Sequence, residues 1–135
     1  MPRPAPTMPV KGTRPERLLE DALRRVLPSA LLEAGQFERQ PRDIPGDFVW
    51  RHRAVSVFVD GCQWHLCPAH FRPHTTGGLV EHGLTAEGAA RQRQRDSVLR
   101  RALAANGARV LCFWEHDIKA DADKCARKVA EALKR

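Results

Sequence analysis

AVSVFVDGCQWHLCPAH, residues 54–70, decides how this chain is read. Its first part, Ala54-Val55-Ser56-Val57-Phe58-Val59, is almost wholly apolar, with β-branched residues throughout. A strand that shows one face to water alternates apolar and polar residues; a near-continuous apolar run belongs to a central strand buried on both faces. The second part brings Asp60, Cys62, Trp64, His65, Cys67 and His70 together directly after that strand. The question is whether they build a zinc site, an active site, or both.

Outward from the central strand, Asp47-Phe48-Val49-Trp50 begins another strand after the turn signal Pro45-Gly46, and 51–53 (Arg-His-Arg) forms a polar hairpin tip between the two. Residues 36–40 are consistent with a further short strand. Arg109-Val110-Leu111-Cys112-Phe113-Trp114 is the third strong strand. Helices surround these segments. Thr13, Pro15 and Glu16 open the first as a T-x-x-E capping box, Leu18, Leu19, Ala22, Leu23, Val26 and Leu27 recur at helical spacing, and Pro28 ends it. A long helix is expected over 87–106, with Ala90, Val98, Leu99, Ala102 and Leu103 inward and Gly107 as its stop. Asp121 or Asp123 caps a last helix that carries Ala126, Val129, Ala130 and Leu133 on one face. Residues 71–88, with Pro73, Gly77, Gly78 and Gly83 and no periodicity, read as a flexible loop. The order α-β-β-β-loop-α-β-α describes one α/β domain with a mixed sheet, over 13–135.

The chain has 135 residues, enough for one core. Residues 1–12 hold four prolines within the first nine positions and no apolar stretch of a secretory signal, so they read as a disordered Pro-rich tail. No apolar run is long enough to span a membrane, and a cytoplasmic location follows as the expectation. Thiols stay reduced there, so four cysteines point to metal or chemistry before disulfides. Lys and Arg number 23 against 16 Asp and Glu, which favours a polyanionic partner such as nucleic acid. That signal is blunted by composition, because 18 of the 23 basic residues are arginine.

Cys62-x4-Cys67-x2-His70 has the ligand types and spacing of a structural zinc site. The fourth ligand is either His116, just past the third strong strand, or Cys112 within it; Cys112 sits among apolar neighbours and reads better as a core thiol. Cys125, far off in the last helix, reads as a packed or half-exposed residue. A closed four-ligand zinc site has no open position for substrate, so any chemistry must lie beside it. Asp47, Asp60 and the carbonyls of the central strand offer an oxygen-rich site suited to Mg²⁺, and a neutral His65 can take a proton from water. Together these groups are equipment for hydrolysis of a phosphodiester bond.

The order Pro45-Gly46-Asp47-Phe48-Val49, Val57-Phe58-Val59-Asp60-Gly61-Cys62-Gln63-Trp64-His65, Arg95-Asp96 and 110–115, with Thr13-x-x-Glu16-x-x-Leu19 upstream, resembles the very-short-patch repair (Vsr) endonucleases over residues 13–118. The resemblance implies a restriction-endonuclease-like fold, a structural Zn²⁺ and Mg²⁺-dependent nicking of double-stranded DNA at T:G mismatches. It implies a protein that acts as a monomer and lies on the nucleoid when bound. Position by position, Asp47 matches the catalytic aspartate that holds Mg²⁺, and Val59 falls where a backbone carbonyl is a further ligand. His65 matches the histidine that activates water, and Glu16 an acidic residue that orients it. Cys62 and Cys67 fall on zinc-ligand positions, His70 is displaced by one from a third, and His116 replaces a cysteine, giving a Cys₂His₂ set that zinc accepts.

The sequence also departs from the family. Asp60 replaces a histidine that assists catalysis in the best-known members. Trp64 keeps one of the aromatic wedges that such enzymes insert beside a mismatch, but Gln63 replaces a second and no tryptophan stands near Thr85, the place of a third. Arg91 and Arg95 lie one turn apart on the long helix and can contact phosphates; an Asp96–Arg100 pair on a solvated face is the plainer reading of that helix. The expectation is a Mg²⁺-dependent DNA endonuclease of mismatch repair. The alternatives are a related nuclease of a restriction or defence role without mismatch specificity, and a non-catalytic zinc-stapled DNA-binding module.

Overall fold

The computed structural model describes residues 13–61 and 86–134. Helix α1 (Arg14–Val26) starts at the expected capping box: the Thr13 amide donates to Glu16 Oε1 at 2.8 Å and the Glu16 amide donates to Thr13 Oγ1 at 3.4 Å. Strand β1 (Glu38–Arg39) is two residues of the stretch expected over 36–40. Strand β2 (Phe48–Trp50) pairs antiparallel with β1 on one side and with β3 (Val55–Asp60) on the other. Arg51–Arg53, the expected hairpin tip, is one short 3-10 helix, closed by Ala54 in the left-handed region at φ 52°. After helix α2 (Ala86–Ala105), strand β4 (Arg109–Trp114) joins β3 in parallel, with Phe58 beside Cys112 and Asp60 beside Trp114. The sheet order β1-β2-β3-β4 is mixed, as the sequence implied. β4 runs directly into α3 (Glu115–Ala120), a helix that the sequence reading missed, and α4 (Ala122–Lys134) closes the described chain. Of the two candidate caps Asp121 takes the role, its Oδ1 accepting from the Lys124 amide at 3.0 Å.

The core lies on one face of the sheet. All six residues of β3 are buried, as a central strand requires. Side chains alternate across it: Val55, Val57 and Val59 enter the main core, together with Phe48, Trp50 and Phe113. Leu19, Ala22 and Leu23 of α1 and Ala126, Val129 and Leu133 of α4 pack down on them. The Trp50 indole N–H is buried with its ring and donates to the Leu31 carbonyl at 2.7 Å, so its polar atom is satisfied.

Ser56, Phe58 and Asp60 face the opposite way, and α2 is tied to that face through Arg100. Here the sequence reading needs correction. Val98 and Leu99, expected inward, are the exposed large apolar residues, at 51% and 43%; Ala90 and Ala102 are exposed as well, and only Leu103 is half-buried. The apolar residues of α2 do not form one stripe, and the side chain that turns to the sheet is an arginine, which an apolar-period search cannot see. Arg100 pairs with Asp60, not with Asp96 as the solvated-face reading had it. Cys112 is exposed rather than a core thiol, because alternation along β4 sends Phe113 inward instead. Cys125 is buried, the packed one of its two readings. The helix begins at Ala86, so the end of the loop expected over 71–88 is helical. The tail over 1–12 and the rest of that loop lie outside the described residues. Among the described residues no helix is long and apolar enough to cross a membrane.

Candidate active site

Gly46 precedes the key aspartate, with φ at +144°, and a Cβ there would stand 3.0 Å from Val49 Cγ2. The turn thus needs glycine both for its backbone and for the close approach of β2. It delivers Asp47 to the place where β2 and β3 begin to part. The Asp47 amide donates to the Val57 carbonyl at 2.8 Å, and its carboxylate Oδ2 accepts from the Val59 amide at 2.7 Å. In an extended strand the N–H and C=O of one residue point to the same edge. The Val59 carbonyl is therefore turned to the side on which Asp47 lies, beyond the end of β2.

Glu16 approaches from α1. It is 8% exposed, and its carboxylate is tied back to the Thr13 amide by the capping box. Its pKa is pushed up to about 7, first by burial and then by the neighbouring Asp47 carboxyl, with the Thr13 amide and Arg39 opposing. Two carboxyl groups at one place raise each other's cost of ionisation, a situation that a cation relieves. The capping box and a place beside Asp47 coexist in one side chain, so the cap does not keep Glu16 from the cavity.

Asp47, Glu16 and Val59 line one cavity of about 370 Å³, with Thr13, Pro15, Gly61 and Glu115 completing the wall. Glu115 was missed as a site residue. It opens α3, where its Oε2 is paired with Lys119 Nζ at 2.6 Å, and the only sequence signal was its place directly after a strong strand. Among the described residues no three His, Cys, Asp or Glu side chains gather as a metal-binding group. Two carboxylates and a carbonyl still suit Mg²⁺, which keeps several waters and takes few protein ligands.

The other expected residues fall elsewhere. Asp60 does not face Asp47: its carboxylate lies on the α2 side of the sheet, held by Arg100 through two bonds of 2.7 Å, and it does not line the cavity. Alternation explains this, since Asp60 follows Val59 and must point to the other face. His116 lies in the first turn of α3, its ring stacked on Trp114 at 6.5 Å, with Asp117 Oδ1 3.5 Å from Nε2. Arg91 and Arg95 are exposed on α2, and Arg95 donates to Gln92 at 2.9 Å. Cys62, Gln63, Trp64, His65, Cys67 and His70 lie outside the described residues.

No family model matches the chain. Three curated proteins do. The type II nicking enzyme V.NaeI of Lentzea aerocolonigenes is 36% identical over 115 residues, 82% of this chain and 64% of its own length. V.NmeDIP of Neisseria meningitidis serogroup C, also a type II nicking enzyme, is 30% identical over 92% of this chain and 79% of its own length. The type II nicking enzyme V.XorIIP of Xanthomonas oryzae pv. oryzae is 30% identical over 80% of this chain and 74% of its own length. The chain thus spans somewhat under two thirds of the first of these proteins and about three quarters of the others. At that identity and coverage the chain belongs to the family of the type II nicking enzymes.

Proposed function

We propose that this protein is a DNA endonuclease that nicks one strand of a duplex with the help of Mg²⁺. The observation that carries the reading is the cavity in which the Asp47 carboxylate, fixed by the Val59 amide, meets Glu16 and the Val59 edge of β3. Asp47 and the Val59 carbonyl would hold the cation, and Glu16 would orient a water beside it. Bound there, Mg²⁺ supplies charge neutralisation at the phosphate and a more acidic water. The chain's own work is to fix those oxygens in place, to hold Glu16 beside them, and to present His65 as the base that takes the proton of the attacking water.

Zn²⁺ is the second metal of the proposal, held by Cys62, Cys67, His70 and His116 as a structural staple. Arg91 and Arg95 would contact phosphates, while Trp64 and Gln63 would stand at the base step. A T:G mismatch is the favoured substrate, in very short patch repair. One observation supports a second reading, a restriction or defence nuclease that cuts without regard to a mismatch: the sequence keeps Trp64 but puts glutamine at 63 and no tryptophan near Thr85.

The test is nicking of matched and T:G-mismatched duplexes, each end-labelled on either strand, with Mg²⁺ or without it. Mg²⁺-dependent cutting of one strand of the mismatched duplex alone supports the repair role. Equal cutting of both duplexes supports the second reading. Binding of duplex with no cutting of either, by folded, zinc-loaded protein, overturns the endonuclease and leaves a DNA-binding module.

A further inference from the structure

Arg100 ties α2 to the sheet through its guanidinium, which makes an unusual set of contacts there. Nη1 and Nη2 each reach one oxygen of Asp60 at 2.7 Å, with the two side chains only 18% and 5% exposed. Nη1 also stands 3.3 Å from Cys112 Sγ, and the guanidinium carbon lies 4.4 Å from the centre of the Phe58 ring. Phe58, Asp60 and Cys112 share this face by alternation along β3 and by the parallel register that sets Phe58 beside Cys112. The Nε atom is buried without an acceptor among the described residues, so the carboxylate of Asp60 is held by the two Nη atoms alone.

A buried ion pair of this kind adds little net stability over apolar packing, because desolvation of both charges offsets their attraction. What a bidentate fork does provide is orientation. The relevant geometry is one residue away. The Val59 carbonyl belongs to the Val59–Asp60 peptide unit, and Val59 and Gly61 both line the cavity of Asp47 and Glu16. Arg100 grips the Asp60 side chain from one face while Asp47 takes the Val59 amide at the edge, so the peptide between them is clamped from two directions.

We propose that Arg100 is a positioning residue: acting through Asp60, it holds the Val59–Asp60 peptide so that the Val59 carbonyl and the Asp47 carboxylate present one site for a divalent cation. The proposal rests on the endonuclease reading for its purpose, but its test does not depend on cleavage. It also gives Asp60 a role in place of the direct catalytic one expected from sequence.

The experiment is Mn²⁺ titration of the full-length, zinc-loaded protein, followed by the electron paramagnetic resonance signal of free Mn²⁺, with Asp47→Ala to identify the site. Arg100→Met is expected to weaken Mn²⁺ binding about tenfold or more, the size of effect seen when a group that orients a metal ligand is lost. Arg100→Lys recovers part of the affinity, since a lysine keeps the charge and loses the fork. The double variant Asp60→Asn/Arg100→Met leaves no buried unpaired charge; it is expected to regain thermal stability but not Mn²⁺ affinity, which separates positioning from mere folding. Mn²⁺ affinity within twofold of wild type in the double variant, or a wild type that binds no Mn²⁺ at the Asp47 site, overturns the proposal. In nicking kinetics kcat falls while KM for DNA holds; a rise in KM alone would instead make Arg100 a substrate contact and also overturn it. A wild type that binds Mn²⁺ but cuts nothing refutes the endonuclease reading, and the binding titration still decides the role of Arg100.

Discussion

The Val59 amide donates to the Asp47 carboxylate at 2.7 Å, and this bond joins the end of the buried central strand to the turn that delivers the acid. The acid and the carbonyl edge of Val59 are thereby fixed to the same rigid element. On the proposed reading, a site built on a strand in this way would need little reorganisation to take a cation and a phosphate.

Asp47→Asn separates the two jobs of that side chain. An amide oxygen can still accept from Val59, so thermal stability should stay near wild type, whereas the loss of charge should remove Mg²⁺-dependent nicking. Asp47→Ala leaves a part-buried N–H without its partner and should cost a further 1–3 kcal/mol, roughly, in denaturant unfolding. Equal stability of the two variants would mean that the bond contributes nothing.

Glu16 gives a pH signature. In the folded, Mg²⁺-free protein its pKa is about 7, against 4.5 for the ordinary side chain. The folded state therefore holds a proton that the unfolded chain has lost between those values. Stability from this group is present below pH 4.5 and is lost as the pH rises through 7, by up to about 3 kcal/mol. Glu16→Gln keeps the capping box, which accepts glutamine at that position, and removes the titration. Thermal midpoints of the two proteins without added Mg²⁺ should converge at low pH, and above pH 7 the variant should be the more stable. Parallel midpoint curves across pH 4 to 8 would contradict the burial of Glu16 next to Asp47.

Gly46→Ala tests the turn. The left-handed φ is strained for alanine, and the new methyl would press on Val49 Cγ2 at 3.0 Å. A loss of roughly 1–3 kcal/mol in unfolding free energy is expected, with nicking reduced because Asp47 is the next residue. An alanine variant as stable and active as wild type would show that the turn relaxes freely.

Leu99→Gln tests the corrected face of α2. At 43% exposure the side chain should be dispensable, with stability changed by less than about 0.5 kcal/mol. A loss of 2 kcal/mol or more, as for a core leucine, would restore the inward orientation read from sequence.

The elements that were legible in sequence are those whose local chemistry agrees with their tertiary role. The capping box of Thr13 and Glu16, the apolar run of β3 and the stripe on α4 each carry their own signal, and each is found in place. The position of Asp47 was legible because a turn and a strand bracket it. Asp60 was misread because proximity in sequence was taken for proximity in space, while strand alternation turns neighbouring side chains to opposite faces. The inward face of α2 was misread because an arginine joins Leu103 there in place of Val98 and Leu99. Glu115 gave only a weak signal, its place directly after a strong strand, since it is the parallel pairing of β3 and β4 that brings the start of α3 to the cavity.

The most direct test of the central claim is single-turnover nicking of a labelled duplex substrate across a Mg²⁺ series, by wild type and by Asp47→Asn at matched thermal stability. The account predicts Mg²⁺-dependent cutting by wild type and a fall of at least about a thousandfold in the variant, the scale on which removal of a group that stabilises developing charge is felt. Nicking by Asp47→Asn within tenfold of wild type, at the same Mg²⁺ midpoint, would contradict it and place the reaction elsewhere on the protein.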